Sequence, residues 1–169
     1  GKKALEVVKL ITLFQFTYPG APMIYYGGEA GMWGGDDPDE RKPMVWKDIK
    51  YEDEIAHPFK KRTIADKVEF NQALFDYYQK LIKIRKSENA LRRGKLKWRL
   101  LDDVKDILVF SRTIESDEVF IIINNSTSKQ KIDLSTIKAG FYKDLFSGER
   151  INLNDKREIE LASKRGVLL

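Results

Sequence analysis

Apolar residues at three- and four-residue spacing open the chain. Ala4, Val7, Val8, Ile11 and Phe14 fall on one helical face over residues 3–17, and Leu5, Leu10, Leu13 and Phe16 cover much of the remainder. A helix apolar on most of its circumference expects burial. Tyr18-Pro19-Gly20 stops it, because proline has no N–H to donate and glycine tolerates the turn that follows. Pro22-Met23-Ile24-Tyr25-Tyr26 is then a continuous apolar run, the pattern of a parallel strand buried on both faces, and Gly27-Gly28 ends it. From Glu29 to about Asp66 neither the strand nor the helix period is sustained, which predicts a long loop. Loops of that length are functional or disordered, and Trp33, Trp46, Tyr51 and Phe59 argue against disorder. Helical spacing returns in Leu74, Tyr77, Tyr78, Leu81 and Ile84. Asn71 stands as N-cap, Phe70 and Phe75 as a hydrophobic staple, and the helix is predicted over residues 71–91, ending near Arg93-Gly94.

Beyond Gly94 the texture changes to short β-rich runs: residues 96–101, 107–113, 119–124, 130–134, 141–144 and 158–161. Asp102-Asp103, Glu115-Ser116-Asp117, Asn124-Asn125-Ser126 and Ser147-Gly148-Glu149 break them at the spacing of an antiparallel sandwich. Two parts follow, residues 1–93 and residues 94–169. The first is α/β and the second all-β, with the sandwich expected to be stable by itself. One strand cannot make a sheet, and the chain opens on Gly1 with a helix that has no capping residue before it. The expectation is a C-terminal piece of a longer protein whose other strands lie upstream.

Composition narrows the chemistry. The 169 residues include no cysteine and one histidine, His57, so disulfide frameworks, thiolate metal sites and histidine clusters are excluded. No run approaches the about 18 consecutive apolar residues of a membrane span. The net charge of +5 could suit nucleic acid, but the densest basic stretch, from Lys80 to Arg99, follows a helix into a strand without any nucleic-acid-binding motif. No nucleic-acid partner is expected.

The run Tyr18-Pro19-Gly20-Ala21-Pro22-Met23-Ile24-Tyr25-Tyr26-Gly27, then Glu29-Ala30-Gly31-Met32, then Gly34 through Trp46 (Gly-Gly-Asp-Asp-Pro-Asp-Glu-Arg-Lys-Pro-Met-Val-Trp) resembles the late-barrel segment of the α-amylase family of glycoside hydrolases. Within it the chain looks most like the neopullulanase, cyclomaltodextrinase and maltogenic amylase group. The resemblance implies that residues 3–17 are the seventh helix of a (β/α)8 barrel, 22–26 its eighth strand, 71–91 its eighth helix, and 95–169 the C-terminal β-sandwich. It also implies what lies elsewhere. The family's nucleophile, general acid and third aspartate sit at the ends of earlier strands, upstream of Gly1, so the chain holds no catalytic residue and is expected to be inactive alone. Two departures stand out: the family usually has Asp where Gly28 stands, and the group often has Cys at Glu40.

For substrate binding, the resemblance assigns Asp37 and Arg41, four residues apart, to a glucose unit of an α-glucan or maltooligosaccharide on the non-reducing side of the cut. A carboxylate accepts from vicinal hydroxyls while a guanidinium donates through its fork; the competing reading is a turn cap at Asp37 paired with Arg41 to stiffen the loop. Trp33 is the candidate to stack on a pyranose face, and Trp46 is a weaker one. Glu29 is expected to make an anchoring hydrogen bond, Tyr25 and Tyr26 to pack in the core, and His57 to be a loop or surface residue. Asp36, Asp37 and Asp39 lack the register of a calcium loop, so no metal and no cofactor is expected. A competing function is a carbohydrate-binding sandwich without catalytic role, but its aromatics, Trp98, Phe110, Phe120, Phe141, Tyr142 and Phe146, mostly alternate as core residues do.

Overall fold

A computed structural model describes residues 2–34, 41–54 and 65–169. They divide into two compact units, one of residues 1–22 and 80–169, the other of residues 23–79. Among the described residues no helix is long and apolar enough to cross a membrane.

In the first unit, α1 (Lys2–Thr17) buries Leu10, Leu13 and Phe16, whereas Ile11, grouped with the expected apolar face, is 62% exposed. The chain leaves α2 (Gln72–Ser87) through α3 (Asn89–Arg93) into eight strands. These are β1 (Lys95–Asp102), β2 (Ile107–Ile114), β3 (Asp117–Asn124), β4 (Gln130–Asp133), β5 (Phe141–Lys143), β6 (Arg150–Asn152), β7 (Glu158–Leu161) and β8 (Arg165–Leu168). An antiparallel sheet of order β1-β2-β3-β8 faces two ribbons, β4-β7 and β5-β6. Between the layers Ile107, Val109, Phe120 and Ile122 of the sheet meet Ile132, Leu134, Ile137 and Leu153 in one apolar cluster. The register holds because side chains alternate faces: Val109 pairs with Ile122, and Phe110 on the other face pairs with Ile121. A bulge between Trp98 and Leu100 interrupts β1.

The opposite face of that sheet is covered by α1. Phe14 meets Phe110 edge-to-face at 5.9 Å, and the Leu13 methyls lie 3.1 and 3.2 Å from where a Cβ on Gly166 would sit, so only glycine fits there without a shift. Two arginines close the helix. Arg112, 2% exposed, donates to the carbonyl of Thr17 at 2.7 Å and to that of Gly94 at 2.7 and 3.2 Å. Arg85 donates to the carbonyl of Phe16 at 2.6 Å and also reaches those of Tyr18 and Gly20. Together they satisfy the carbonyls that a helix C-terminus leaves without partners, and they place cations at the negative end of its dipole.

Two local expectations change. The helix predicted over 71–91 is two helices, because Glu88 is extended at φ −87°, ψ 109°. The run 22–26 is not a strand: among the described residues it has no ladder partner, and Met23, Ile24, Tyr25 and Tyr26 are all exposed. Core packing of the two tyrosines is likewise not observed; their rings contact each other at 5.0 Å. A parallel strand is defined by neighbours, and an apolar run without them stays open to solvent.

Candidate functional site: the loop after residue 26

The second unit is built around the turn that ends the apolar run. Gly27 takes φ +83°, and a Cβ there would strike the Met32 sulfur at 2.3 Å; its carbonyl accepts from Ala30 at 3.0 Å and Met32 at 2.9 Å. Where the family usually carries Asp, Gly28 closes the turn by donating to the Tyr25 carbonyl at 3.1 Å. The Ala30 carbonyl then accepts from the amide of Asn71, and Asn71 Oδ1 caps α2 by accepting from Leu74 at 3.0 Å. Phe70 and Phe75 close the staple with ring centroids 5.3 Å apart. The start of α2 is thus pinned to the turn.

Lys42 organises the returning limb of the loop. Its ammonium donates to both carboxylate oxygens of Glu54 at 2.7 and 2.8 Å and lies 4.1 Å from the centroid of the Trp33 ring, while its main-chain carbonyl accepts from the Tyr26 hydroxyl at 2.9 Å. Glu54 is held in turn by a two-way main-chain bridge to Asp66, 2.8 Å in each direction. Tyr51 braces the same limb, donating to the Met44 carbonyl at 3.2 Å and accepting from the Trp46 amide at 2.7 Å. Tyr51 borders a concavity with Met32, Trp33, Val45 and Val68 as its apolar lining and Lys42 and Glu54 as its charged pair. At its edge Lys67 bonds Glu69 at 2.6 Å, and that hydrogen bond raises the Lys67 pKa. An aromatic face beside a fixed cation and a set of acceptors is suited to a polyhydroxylated ring, which needs both stacking and directed hydrogen bonds.

Of the three predicted binding residues, Trp33 borders this concavity, 36% exposed, and Arg41 is exposed on the same limb, directly before Lys42. Asp37 lies outside the described residues, as do Asp36, Asp39, His57 and Phe59. Trp46 is exposed, with its amide held by Tyr51. The anchoring bond expected of Glu29 is not made at Oε2, which is buried and has no hydrogen-bond partner among the described residues. Lys42, Glu54 and Tyr26 were missed by sequence reasoning. An acid and a base twelve residues apart in an aperiodic loop carry no spacing signal that would pair them.

Helix, extended apolar run, glycine-rich loop and helix, ahead of an antiparallel sandwich, define the C-terminal end of a (β/α)8 barrel with its following domain. Residues 1–94 match the family described as "Alpha amylase, catalytic domain", and residues 99–165 match "Maltogenic Amylase, C-terminal domain". The chain belongs to the α-amylase family of glycoside hydrolases. It is 38% identical over 144 residues to a cyclomaltodextrinase of Geobacillus thermopakistaniensis, covering 85% of this chain and 21% of that protein. To neopullulanase 2 of Thermoactinomyces vulgaris it is 33% identical over 164 residues, 95% of this chain and 25% of the relative. An Anoxybacillus α-amylase structure superposes with a TM-score of 0.75 at 27% identity, over 95% of this chain and 31% of the other. The chain therefore spans a quarter or less of the length of these two curated relatives.

Proposed function

We propose that the chain is the C-terminal portion of a retaining glycoside hydrolase acting on α-1,4 glucosidic bonds, with residues 1–93 completing its catalytic barrel and 94–169 forming its C-terminal sandwich. The observation that carries this reading is the exposed run Met23–Tyr26, strand-like in sequence and without a strand partner among the described residues. Neighbouring barrel strands would satisfy its main chain and cover its side chains. The relatives' names, cyclomaltodextrinase and neopullulanase, support α-glucans as the substrate class.

The retaining mechanism needs two carboxyl groups about 5 to 5.5 Å apart across the glycosidic bond, one as nucleophile and one as acid then base. In this reading both are supplied upstream of this chain. The loop after residue 26 contributes binding: Asp37 accepts from vicinal hydroxyls of a glucose unit, Arg41 donates to the same unit, and Trp33 offers an aromatic face. Such contacts hold substrate equally in ground and transition states, so their loss raises KM more than it lowers kcat. In the whole enzyme, Asp37→Ala and Arg41→Ala are each expected to raise KM for maltohexaose about tenfold, the scale of one charge-assisted hydrogen bond. Unchanged KM in both variants would leave the loop a structural element only.

A further inference from the structure

We propose that Lys42 is a positioning residue for the sugar-binding loop, holding Arg41 and the Trp33 ring in the geometry that receives substrate. This rests on the assignment of Arg41 and Trp33 to sugar binding. Among the described residues, three separate attachments meet on Lys42: the two bonds to Glu54, the ammonium over Trp33, and the Tyr26 hydroxyl on its carbonyl. Each fixes a different part of the site. The Glu54 bonds tie the returning limb to the base of the bridge with Asp66, so the main chain at Arg41 is anchored one residue away. The ammonium covers one face of the Trp33 indole and so limits its rotation. The Tyr26 bond ties the same limb to the end of the apolar run, which a barrel would carry into its active-site face.

The attachments are local to the loop, and the Lys42 and Glu54 side chains retain 22% and 20% of their exposure. The pair is mostly buried, so losing the cation alone leaves the Glu54 carboxylate short of its partner and costs some local stability. Its effect is expected in substrate handling, where one residue's displacement is felt at the sugar.

The test is made in the whole enzyme with Lys42→Met, Lys42→Arg, Arg41→Ala and the double variant Lys42→Met/Arg41→Ala, reading kcat, KM for maltohexaose and melting temperature. Expected are a rise in KM of about three- to tenfold for Lys42→Met with kcat kept, and recovery in Lys42→Arg, which retains the cation. The double variant is expected to lose less than the two single losses combined, since part of the Lys42 effect runs through the Arg41 guanidinium and the rest through Trp33. If Arg41→Ala raises KM while Lys42→Met behaves as wild type, the positioning role falls and the binding assignment stands. If Arg41→Ala is itself silent, the binding assignment fails and takes this proposal with it. A Lys42→Met protein that melts earlier and loses kcat along with KM would make Lys42 merely structural, and so would additive losses in the double variant.

Discussion

Arg112 is a charged side chain 2% exposed, and among the described residues its hydrogen bonds go to main-chain carbonyls. Burial, with the neighbouring charge of Arg85 adding to it, lowers its pKa from the ordinary arginine value. Its guanidinium joins the end of α1 to Gly94, a planar fork that lysine cannot reproduce. Arg112→Met is expected to cost about 2 to 4 kcal/mol by leaving the Thr17 and Gly94 carbonyls buried without a donor, and Arg112→Lys is expected to recover only part of it; urea unfolding measures both. Glu118 sets a pH dependence. Burial pushes its pKa up, but hydrogen bonds from Ser111, Arg99 and Thr113 and the Arg99 charge outweigh it, and the net shift is downward. A carboxylate depressed in the fold contributes stability above its unfolded pKa of about 4.3 and loses it as the pH falls through the folded value. Thermal melts are expected to drop over that acid range, and Glu118→Gln should melt lower at neutral pH with a shallower acid slope. Neither role was legible beforehand: Arg112 sits in an alternating strand where a charge reads as solvent-facing, and its Thr17 partner is 95 residues away.

At the scale of elements, periodicity found the helices well and their interruptions poorly. Asn71 and the Phe70–Phe75 staple stand where capping chemistry places them. Asn71→Ala is expected to lower the midpoint of unfolding by about 1 kcal/mol, with Asn71→Asp keeping most of it. The break at Glu88 was not readable, since Ser87-Glu88-Asn89 contains no proline or glycine. Two strands were also missed, β6 and β8. β6 is three residues long, and β8 holds Gly166, a residue that signals a turn in sequence but here makes room for Leu13. At the loop the result was uneven for a physical reason. Arg41 came from motif resemblance and Trp33 from the stacking chemistry of an aromatic in the loop, whereas the Lys42–Glu54 pair depends on how an aperiodic chain returns on itself.

At the scale of the molecule, the family match and the packing draw different lines. The catalytic-domain match ends at residue 94, yet residues 1–22 pack with 80–169 in one unit. The sheet is apolar on both faces: the β4-β7 and β5-β6 ribbons cover one, and α1 covers the other through Leu13 and Phe14. Residues 94–169 alone would uncover Phe110 and remove the Thr17 carbonyl from Arg112. That piece is expected to melt well below the full chain and to bind a hydrophobic dye such as ANS, in place of the self-sufficient sandwich that its strand pattern suggests. Equal melting temperatures would show that α1 adds nothing to the sheet.

The overall architecture was legible because a compact motif, from Tyr18 to Trp46, resembles one family's barrel end. In the function proposed above, this loop holds sugar for catalytic groups supplied upstream. A crystal structure of the whole enzyme with bound maltohexaose tests it most directly. One glucose unit is expected within hydrogen-bonding distance of both Asp37 and Arg41, with Lys42 still over Trp33. A sugar chain occupying the active site while touching neither residue would contradict it.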